Sequence, residues 1–420
     1  MARRGTKKKD LTPEEKLAQA LVPEAEWPYQ VPGNWCWVRL LESFENQTDS
    51  KRKIKQKCYL DSGRIAIVDQ GQDLVGGYTN DESMTFVGNL PVIVFGDHTR
   101  CIKYIDFAFA QGADGVKVLK PKGFYSPKAF YYALQSVNIP NMGYRRHYPT
   151  FKDYCIPVPP IPEQHRIVAR IENLFAKLDE TKEKAQAVVD GFEERKAAIL
   201  HQAFTGELTK EWRKKNSEFA TTWERIPLCT VCRSIKAGGD KPSDFVKIRD
   251  EKHGIPVVAN GIDNDGIIGY TAQIKYNGNA VTVSGRGTIG YSIYRRNPFY
   301  PVVRLLVIEL GDKLIGEYLK YVFDALPEEG TGTSIPQLTV PMIKNKIIPL
   351  PTVQEQSEIV RILDSLLDKQ QQARDAAAAV LDQIDTMKKA ILARAFRGEL
   401  GTNDPAEESA VELVKSVLEH

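Results

Sequence analysis

The chain has 420 residues, 42% of them hydrophobic and 26% charged, with a formal net charge of +3 at pH 7. That length holds two to three domains with buried cores. The near-balanced charge excludes a wholly basic nucleic-acid binder, so any DNA-binding surface has to come from local clustering of cations. Apolar runs such as LPVIVFG and PVVRLLVIEL are strand-length and interrupted, which excludes a membrane-spanning helix. The six cysteines lack framework spacing, and no signal-peptide apolar region follows MARRGTKKKD. A soluble cytoplasmic protein with reduced thiols is the expectation.

Residues 1–26 read as a disordered basic tail followed by a short helix, with Thr12 as N-cap, Pro13 in the first turn and Glu14 and Glu15 at the positive end of the dipole. Residues 27–155 carry short β-like runs (GRIAIVD, MTFVG, PVIVFG, DGVKVLK) punctuated by Gly, Asp and Asn, with SPKAFYYALQS (126–136) helical. Residues 156–216 hold a long helix. Its apolar positions Ile167, Ile171, Leu174, Leu178, Ala185, Val188, Phe192 and Ile199 follow a 3.5-residue repeat with breaks at Thr181 and Arg195, and Gly206 stops it. At 1.5 Å per residue such a helix spans roughly 60 Å.

A second variable segment, 217–347, offers strands at IPVVAN, AVTVSG, YSIYRR and PVVRLLVIEL and a helix at KLIGEYLKYVFDAL. Residues 348–400 hold a second long helix, with Ile359, Leu363, Leu366, Ala377, Val380, Ile384, Met387 and Ile391 on its seam, and 401–420 end in an acidic-first amphipathic helix.

The two long helices are copies. IPVPPIPEQHRIVARIENLF (156–175) aligns with IPLPTVQEQSEIVRILDSLL (348–367), and KAAILHQAFTGEL (196–208) with KKAILARAFRGEL (388–400), at a constant offset of 192 residues without a gap. Trp35, Val38 and Leu40 are echoed by Trp223, Ile226 and Leu228, a hint that the variable segments are related too.

Gly285-Arg286-Gly287-Thr288-Ile289-Gly290 matches G-x-G-x-x-G, but a dinucleotide site needs a helix next, and YSIYRRNPFY reads as a strand. The motif therefore reads as a turn presenting Arg286. Asn297-Pro298-Phe299-Tyr300 lacks the second proline of an adenine-methyltransferase signature. Cys229 and Cys232 have ligand spacing but no second pair, so no metal site is assigned. No P-loop, H-E-x-x-H or G-x-S-x-G occurs, and no catalytic residue is assigned. What remains is clustered basic residues: Lys51, Arg52, Lys53, Lys55 and Lys57, then Arg100 with Lys103, Arg145 with Arg146, and Lys236, Arg286, Thr288, Arg295 and Arg296. Such clusters follow a phosphate backbone, and Arg can read bases.

With two variable segments each followed by a copy of one long-helix repeat, and with the paired Glu163-Gln164 and Glu355-Gln356 leads and Ala-Phe-x-Gly-Glu-Leu endings, the chain resembles the specificity subunit of type I restriction-modification systems. FGDHTR (95–100) and GRGTIG resemble segments common in that family's variable domains. The resemblance implies an α+β fold: two strand-rich, mixed α/β target-recognition domains joined by two long antiparallel helices as an intramolecular coiled coil with pseudo-twofold symmetry. Each domain would read one half of a bipartite asymmetric site in double-stranded DNA. Two methyltransferase subunits and a restriction-translocase subunit would be the partners, carrying S-adenosylmethionine, ATP and Mg²⁺, with no cofactor and no catalysis on this chain.

Arg100, Arg145 and Arg286 are the expected base readers, and the lysines the phosphate contacts. Glu163, Gln164, Phe204, Glu355, Gln356 and Phe396 are candidate docking residues, while the Glu and Gln pairs are equally open to a role in orienting the helix starts. The competing functions are a structural coiled-coil protein and a nucleotide-binding enzyme using the GRGTIG turn.

Overall fold

A computed structural model describes residues 12–216, 222–325 and 337–419; the expected basic tail at 1–10 lies outside them. The chain divides into two compact units, Met1–Lys184 with Val380–His420, and Ala185–Ala379. The division falls inside each repeat helix, so the helices are built into the units and do not form a separate body.

The first unit is built on an antiparallel sheet in the order Phe44–Asn46, Val116–Pro121, Val92–Gly96, Ile102–Ile105. Val92, Ile93, Val94 and Phe95 are all fully buried; a central strand covered on both faces reads as a continuous apolar run for this reason. A second sheet runs Lys53–Ile54, Phe109–Gly112, Ile65–Val68, Gly77–Thr79, with Phe109–Gly112 parallel to both neighbours. Cys36–Arg39 pairs with Cys155–Val158 at the root of the repeat helix. Helix Pro127–Ser136, capped by Ser126, buries Ala129, Phe130, Ala133 and Leu134.

The second unit repeats this plan, except that the place of strand Lys53–Ile54 is taken by a single parallel bridge of Gly239 to Val302. Its antiparallel sheet is ordered Cys232–Ala237, Leu306–Leu310, Ala280–Val283, Ser292–Arg295. Beside it Ile255–Val258 lies antiparallel to Ile267–Thr271 and parallel to Tyr300–Pro301. Glu224–Pro227 pairs with Ile347–Leu350, and helix Gly316–Ala325 occupies the place of Pro127–Ser136. The hint in the tryptophan spacing thus extends to most of the topology of the variable segments. Two expected strands differ. MTFVG forms no strand and contributes only the bridge of Thr85 to Ala110. PVVRLLVIEL is cut by a turn at Val303 and Arg304, both with positive φ.

The first repeat helix, expected to be continuous, is Ile161–Asp190 followed by Phe192–Phe204, interrupted at Gly191. Glycine lowers helix stability at that position, whereas its counterpart in the second copy is Gln383 and Val353–Ala395 runs unbroken. Within the first unit the two copies run in opposite senses. Arg166 contacts Thr402 and Glu407, and thirteen residues on, Asp179 pairs with Lys388. The second unit has the same relation, Phe192 meeting Arg374, Arg195 meeting Gln370 and Thr209 meeting Glu355. The expected seam is off by one residue late in the second copy. Val380 and Met387 are 36% and 44% exposed, while Leu381 and Lys388 turn partly inward, the lysine ammonium lying over Phe175. A lysine stem covers apolar surface as well as an aliphatic residue does.

The N-terminal helix Pro13–Ala20 has a complete capping box between Thr12 and Glu15. The C-terminal helix, Ala410–Glu419, packs with it in the first unit's core through Val414 and Leu418.

Candidate nucleic-acid interface

In both units the loops at one end of the four-stranded sheet collect the cations. In the first unit that end is marked by Gly96 opposite Val116 and Phe95 opposite Ile102. From it leave residues 47–52, the turn 97–101 and residues 113–115. Lys51 is exposed, its backbone N–H bonded to Asp49, and Arg52 stands 3.8 Å from the same carboxylate. Lys53 is half-buried on its short strand, and Lys55 and Lys57 are exposed. The ammonium groups of these four lysines meet no partner among the described residues. Residues 47–52 face 86–89 across a groove, with Val87 78% exposed on its rim.

Residues 141–146 lie against the turn at 97–100. His147 fixes them: fully buried, its Nδ1 is 2.9 Å from the Asp97 carbonyl, and its Nε2 accepts the Met142 N–H at 3.2 Å. Both bonds require the neutral tautomer with the proton on Nδ1. The Asp97 carboxylate in turn accepts the Tyr148 N–H at 2.8 Å. Thus anchored, the loop projects Arg145, Arg146 and Tyr144, the last 99% exposed. Tyr144 was missed in the sequence, although an Asn- and Gly-containing segment next to two arginines was the available signal.

The second unit gathers residues 284–291 and 302–305 and the chain after Ala237 at the corresponding end. Lys236 is exposed. Arg286 is exposed on the glycine turn and donates from Nη2 to Gln337 at 3.0 Å. Thr288 is half-buried, its hydroxyl without a partner among the described residues. The turn joins two antiparallel strands and no helix follows it, so it lacks the helix N-terminus that a dinucleotide pyrophosphate needs.

Four expected DNA contacts are committed to the protein itself. Arg100 donates from Nη1 to the Ile139 carbonyl at 2.9 Å. Lys103, 5% exposed, bonds the Asp73 carbonyl at 2.5 Å and stands 3.6 Å from Asp69, and burial lowers its pKa despite that carboxylate. Arg295 bonds Thr282 and the Asp265 carbonyl, and burial lowers its pKa as well. Arg296 pairs with Glu317 and lies over Tyr294. Alternation along a strand gives every second residue an inward face, which is how Lys103 comes to be interior.

The docking candidates are interior too. Glu163, Gln164, Glu355 and Gln356 are at most 1% exposed, Phe204 6% and Phe396 0%. Gln164 accepts the Ser126 N–H and donates to Phe124 and Pro159; Gln356 accepts the Ile315 N–H and donates to Lys313 and Pro351. Glu163 accepts from Trp35, Thr402 and Asn403, and Glu355 from Trp223, Thr209 and Arg213. Each helix start is therefore clamped to its own recognition domain and to the segment that ends the other helix. These bonds are the ones that a role in orienting the helix starts requires.

Residues 32–189 and 221–376 each match the type I restriction modification DNA specificity domain, and the chain belongs to that family. It is similar to a Mycoplasma pneumoniae protein named as a type I specificity subunit (S.MpnORF89P), 29% identical over 157 residues, 37% of this chain and 45% of that protein. The specificity subunit of the Escherichia coli type I restriction enzyme EcoBI is 25% identical over 340 residues, 67% of this chain and 68% of its own. The fold matches the crystal structure of an HsdS subunit from Thermoanaerobacter tengcongensis with a TM-score of 0.62 at 20% identity, covering 90% of this chain and all of that one. The chain thus spans less than half of the first of these relatives.

Proposed function

We propose that the chain is the DNA-reading subunit of a type I restriction-modification assembly. The observation that carries this reading is the gathering of cations, most of them exposed, at the same end of the equivalent four-stranded sheet in two units of closely similar topology. Each unit reads one half of a split site in duplex DNA. Phosphates are held by Lys51, Lys53, Lys55, Lys57 and Lys236, which set register without sequence preference. Bases are read by Arg145, Arg146 and Arg286 in the major groove, where bidentate Arg contacts discriminate.

The repeat helices form an antiparallel coiled-coil spacer of pseudo-twofold symmetry that sets the unread gap, and opposite-sense helix pairing inside each unit supports that arrangement. Two methyltransferase subunits dock on the outer faces of these helices, where buried Glu163 and Glu355 hold the geometry without touching the partner. A restriction-translocase subunit completes the assembly. S-adenosylmethionine, ATP and Mg²⁺ act on those subunits, this chain contributes no catalytic group, and the assembly works in the cytoplasm. No described helix is long and apolar enough to cross a membrane.

The test is single-molecule sequencing of methylated genomic DNA with and without the gene, paired with binding of the chain to duplex DNA. A bipartite methylated motif that disappears with the gene is the expected result; an unchanged methylome and no selective binding would sink the reading.

A further inference from the structure

We infer that Arg304 is a base-reading side chain of the second unit and that Asn260 is the positioning residue for both Arg304 and Arg286. The inference rests on the DNA-reading function proposed above and names residues within its second half-site.

Val303 and Arg304 form the two central positions of a tight turn closed by the Leu305 N–H on the Val302 carbonyl at 3.1 Å. Their φ angles are +52° and +59°, so both are left-handed. Turns of this kind take Asn-Gly or Asp-Gly, because a Cβ, and above all a β-branched one, is disfavoured at positive φ. Here the chain places a valine and an arginine, both exposed, Val303 at 52%.

A costly backbone persists where its surroundings over-determine it and the side chains it displays have a use. The surroundings do so. Val303 N–H donates to the Gly239 carbonyl at 2.9 Å and Arg304 N–H to the Gly238 carbonyl at 3.1 Å. A Cβ on Gly238 would sit 2.8 Å from the Val302 nitrogen, so this approach requires glycine.

Asn260 ties that turn to the glycine turn. Its Nδ2 donates to the Val303 carbonyl at 2.8 Å, and its Oδ1 accepts the Gly285 N–H at 2.8 Å. One amide thus spaces the residue before Arg286 from the residue before Arg304. The first unit uses an amide at the same place: Gln70, two residues past strand Ile65–Val68 as Asn260 is past Ile255–Val258, accepts the His98 N–H at 3.2 Å in the turn equivalent to the glycine turn. The guanidinium of Arg304 has no hydrogen-bond partner among the described residues. Two forked donors held at fixed spacing suit the O6 and N7 acceptors of guanines in a major groove.

The test is selection of bound sequences from a randomised duplex DNA pool by the full-length chain, with thermal midpoints confirming that each variant is folded. Arg304→Ala should lose preference at one or two adjacent positions of one half-site, weaken binding to the selected sequence about 5- to 150-fold, and leave the other half-site intact. Arg304→Lys keeps the charge but not the fork and should relax the same positions; a lysine variant that keeps the wild-type motif would make Arg304 a phosphate contact and overturn the inference. Asn260→Asp retains the acceptor for Gly285 but loses the donor to Val303, so it should relax the Arg304 position alone. Asn260→Ala should relax the Arg304 and Arg286 positions together while leaving the salt dependence of non-specific binding unchanged. A wild-type motif that Arg304→Ala leaves untouched overturns the inference by itself. A wild-type chain that enriches no motif brings down the DNA-reading function, and the inference with it.

Discussion

Trp35 donates its indole N–H to the fully buried carboxylate of Glu163 at 2.6 Å, and Trp223 makes the same bond to Glu355 at 3.0 Å. The remaining carboxylate partners come from the segment that follows the other helix copy: Thr402 and Asn403 for Glu163, Thr209 and Arg213 for Glu355. The duplicated Gly-Glu-Leu endings therefore deliver donors to the duplicated Glu-Gln starts. A carboxylate in the first helical turn is also favoured by the dipole.

Glu163→Gln turns a doubly accepting group into one that presents an amide N–H₂ to donors, and it should destabilise the first unit by about 1–3 kcal/mol. Glu355→Gln additionally leaves Arg213, 14% exposed, without its counter-charge, and should cost about 3 kcal/mol or more. Hydrogen exchange checks both. Glu163→Gln should lose protection at Cys36–Arg39 and near residue 402, and Glu355→Gln at Glu224–Pro227 and near residue 209. Equal loss in both units from either variant would contradict the reciprocal clamp.

The lysines separate into two kinds by environment. Lys51→Ala, Lys53→Ala and Lys55→Ala should each weaken binding evenly across DNA sequences and reduce the salt slope by about 0.9. Lys103→Ala should leave the slope unchanged and lower the unfolding midpoint, because it removes the ammonium that serves Asp69 and the Asp73 carbonyl. Titrations at several salt concentrations, run beside urea melts, distinguish the two.

The lysine contrast shows where sequence reading runs out. The repeat was plain because an ungapped offset of 192 residues survives any detail of packing. The shared topology of the variable segments was barely visible, since strand-like runs do not specify their partners, and only the paired tryptophans hinted at it. Lys103 and Arg295 look like surface cations until strand pairing fixes which face they occupy. Arg304 sits in an apolar run, VVRLLVIEL, whose turn carries neither Gly nor Asn, so the usual signal of a reversal is missing. Val380 and Met387 fitted a 3.5-residue repeat that slips by one position where the helix uses the stem of Lys388 as an apolar surface.

His147 should govern the loop at 141–146. His147→Ala removes the partner of the Met142 N–H and of the Asp97 carbonyl, two bonds worth about 2 kcal/mol together. Trypsin cleavage after Arg145 and Arg146 should then accelerate while cleavage elsewhere in the native chain does not. Sequence preference should weaken in the half-site read by the first unit only. Unaltered cleavage at these arginines would mean that the loop is held by other contacts.

Cys36 gives the alkaline limb of stability a definite sign. It is 3% exposed between Trp35 and Trp37, and burial pushes its pKa from 9.0 up to about 12. From pH 9 upward the unfolded chain releases this proton while the folded chain keeps it, so the folded state holds more protons. Stability therefore falls as pH rises from 9 toward 12, by up to about 1.4 kcal/mol per pH unit from this group. Tyr29 and Tyr132, also raised to about 12 by burial, begin to act only near pH 10. Cys232, raised to about 11, and Cys155, raised as well, share the interval between 9 and 10, so the part due to Cys36 is the difference between the wild-type chain and a Cys36 variant. Urea midpoints across that interval should fall more steeply for the wild-type chain than for Cys36→Ala, whatever the variant's lower starting stability. The same burial predicts that a maleimide at neutral pH labels exposed Cys58 and Cys229 in the native chain and reaches Cys36 only in denaturant. Native labelling of Cys36, or parallel pH profiles for the two chains, would show that this strand opens without global unfolding.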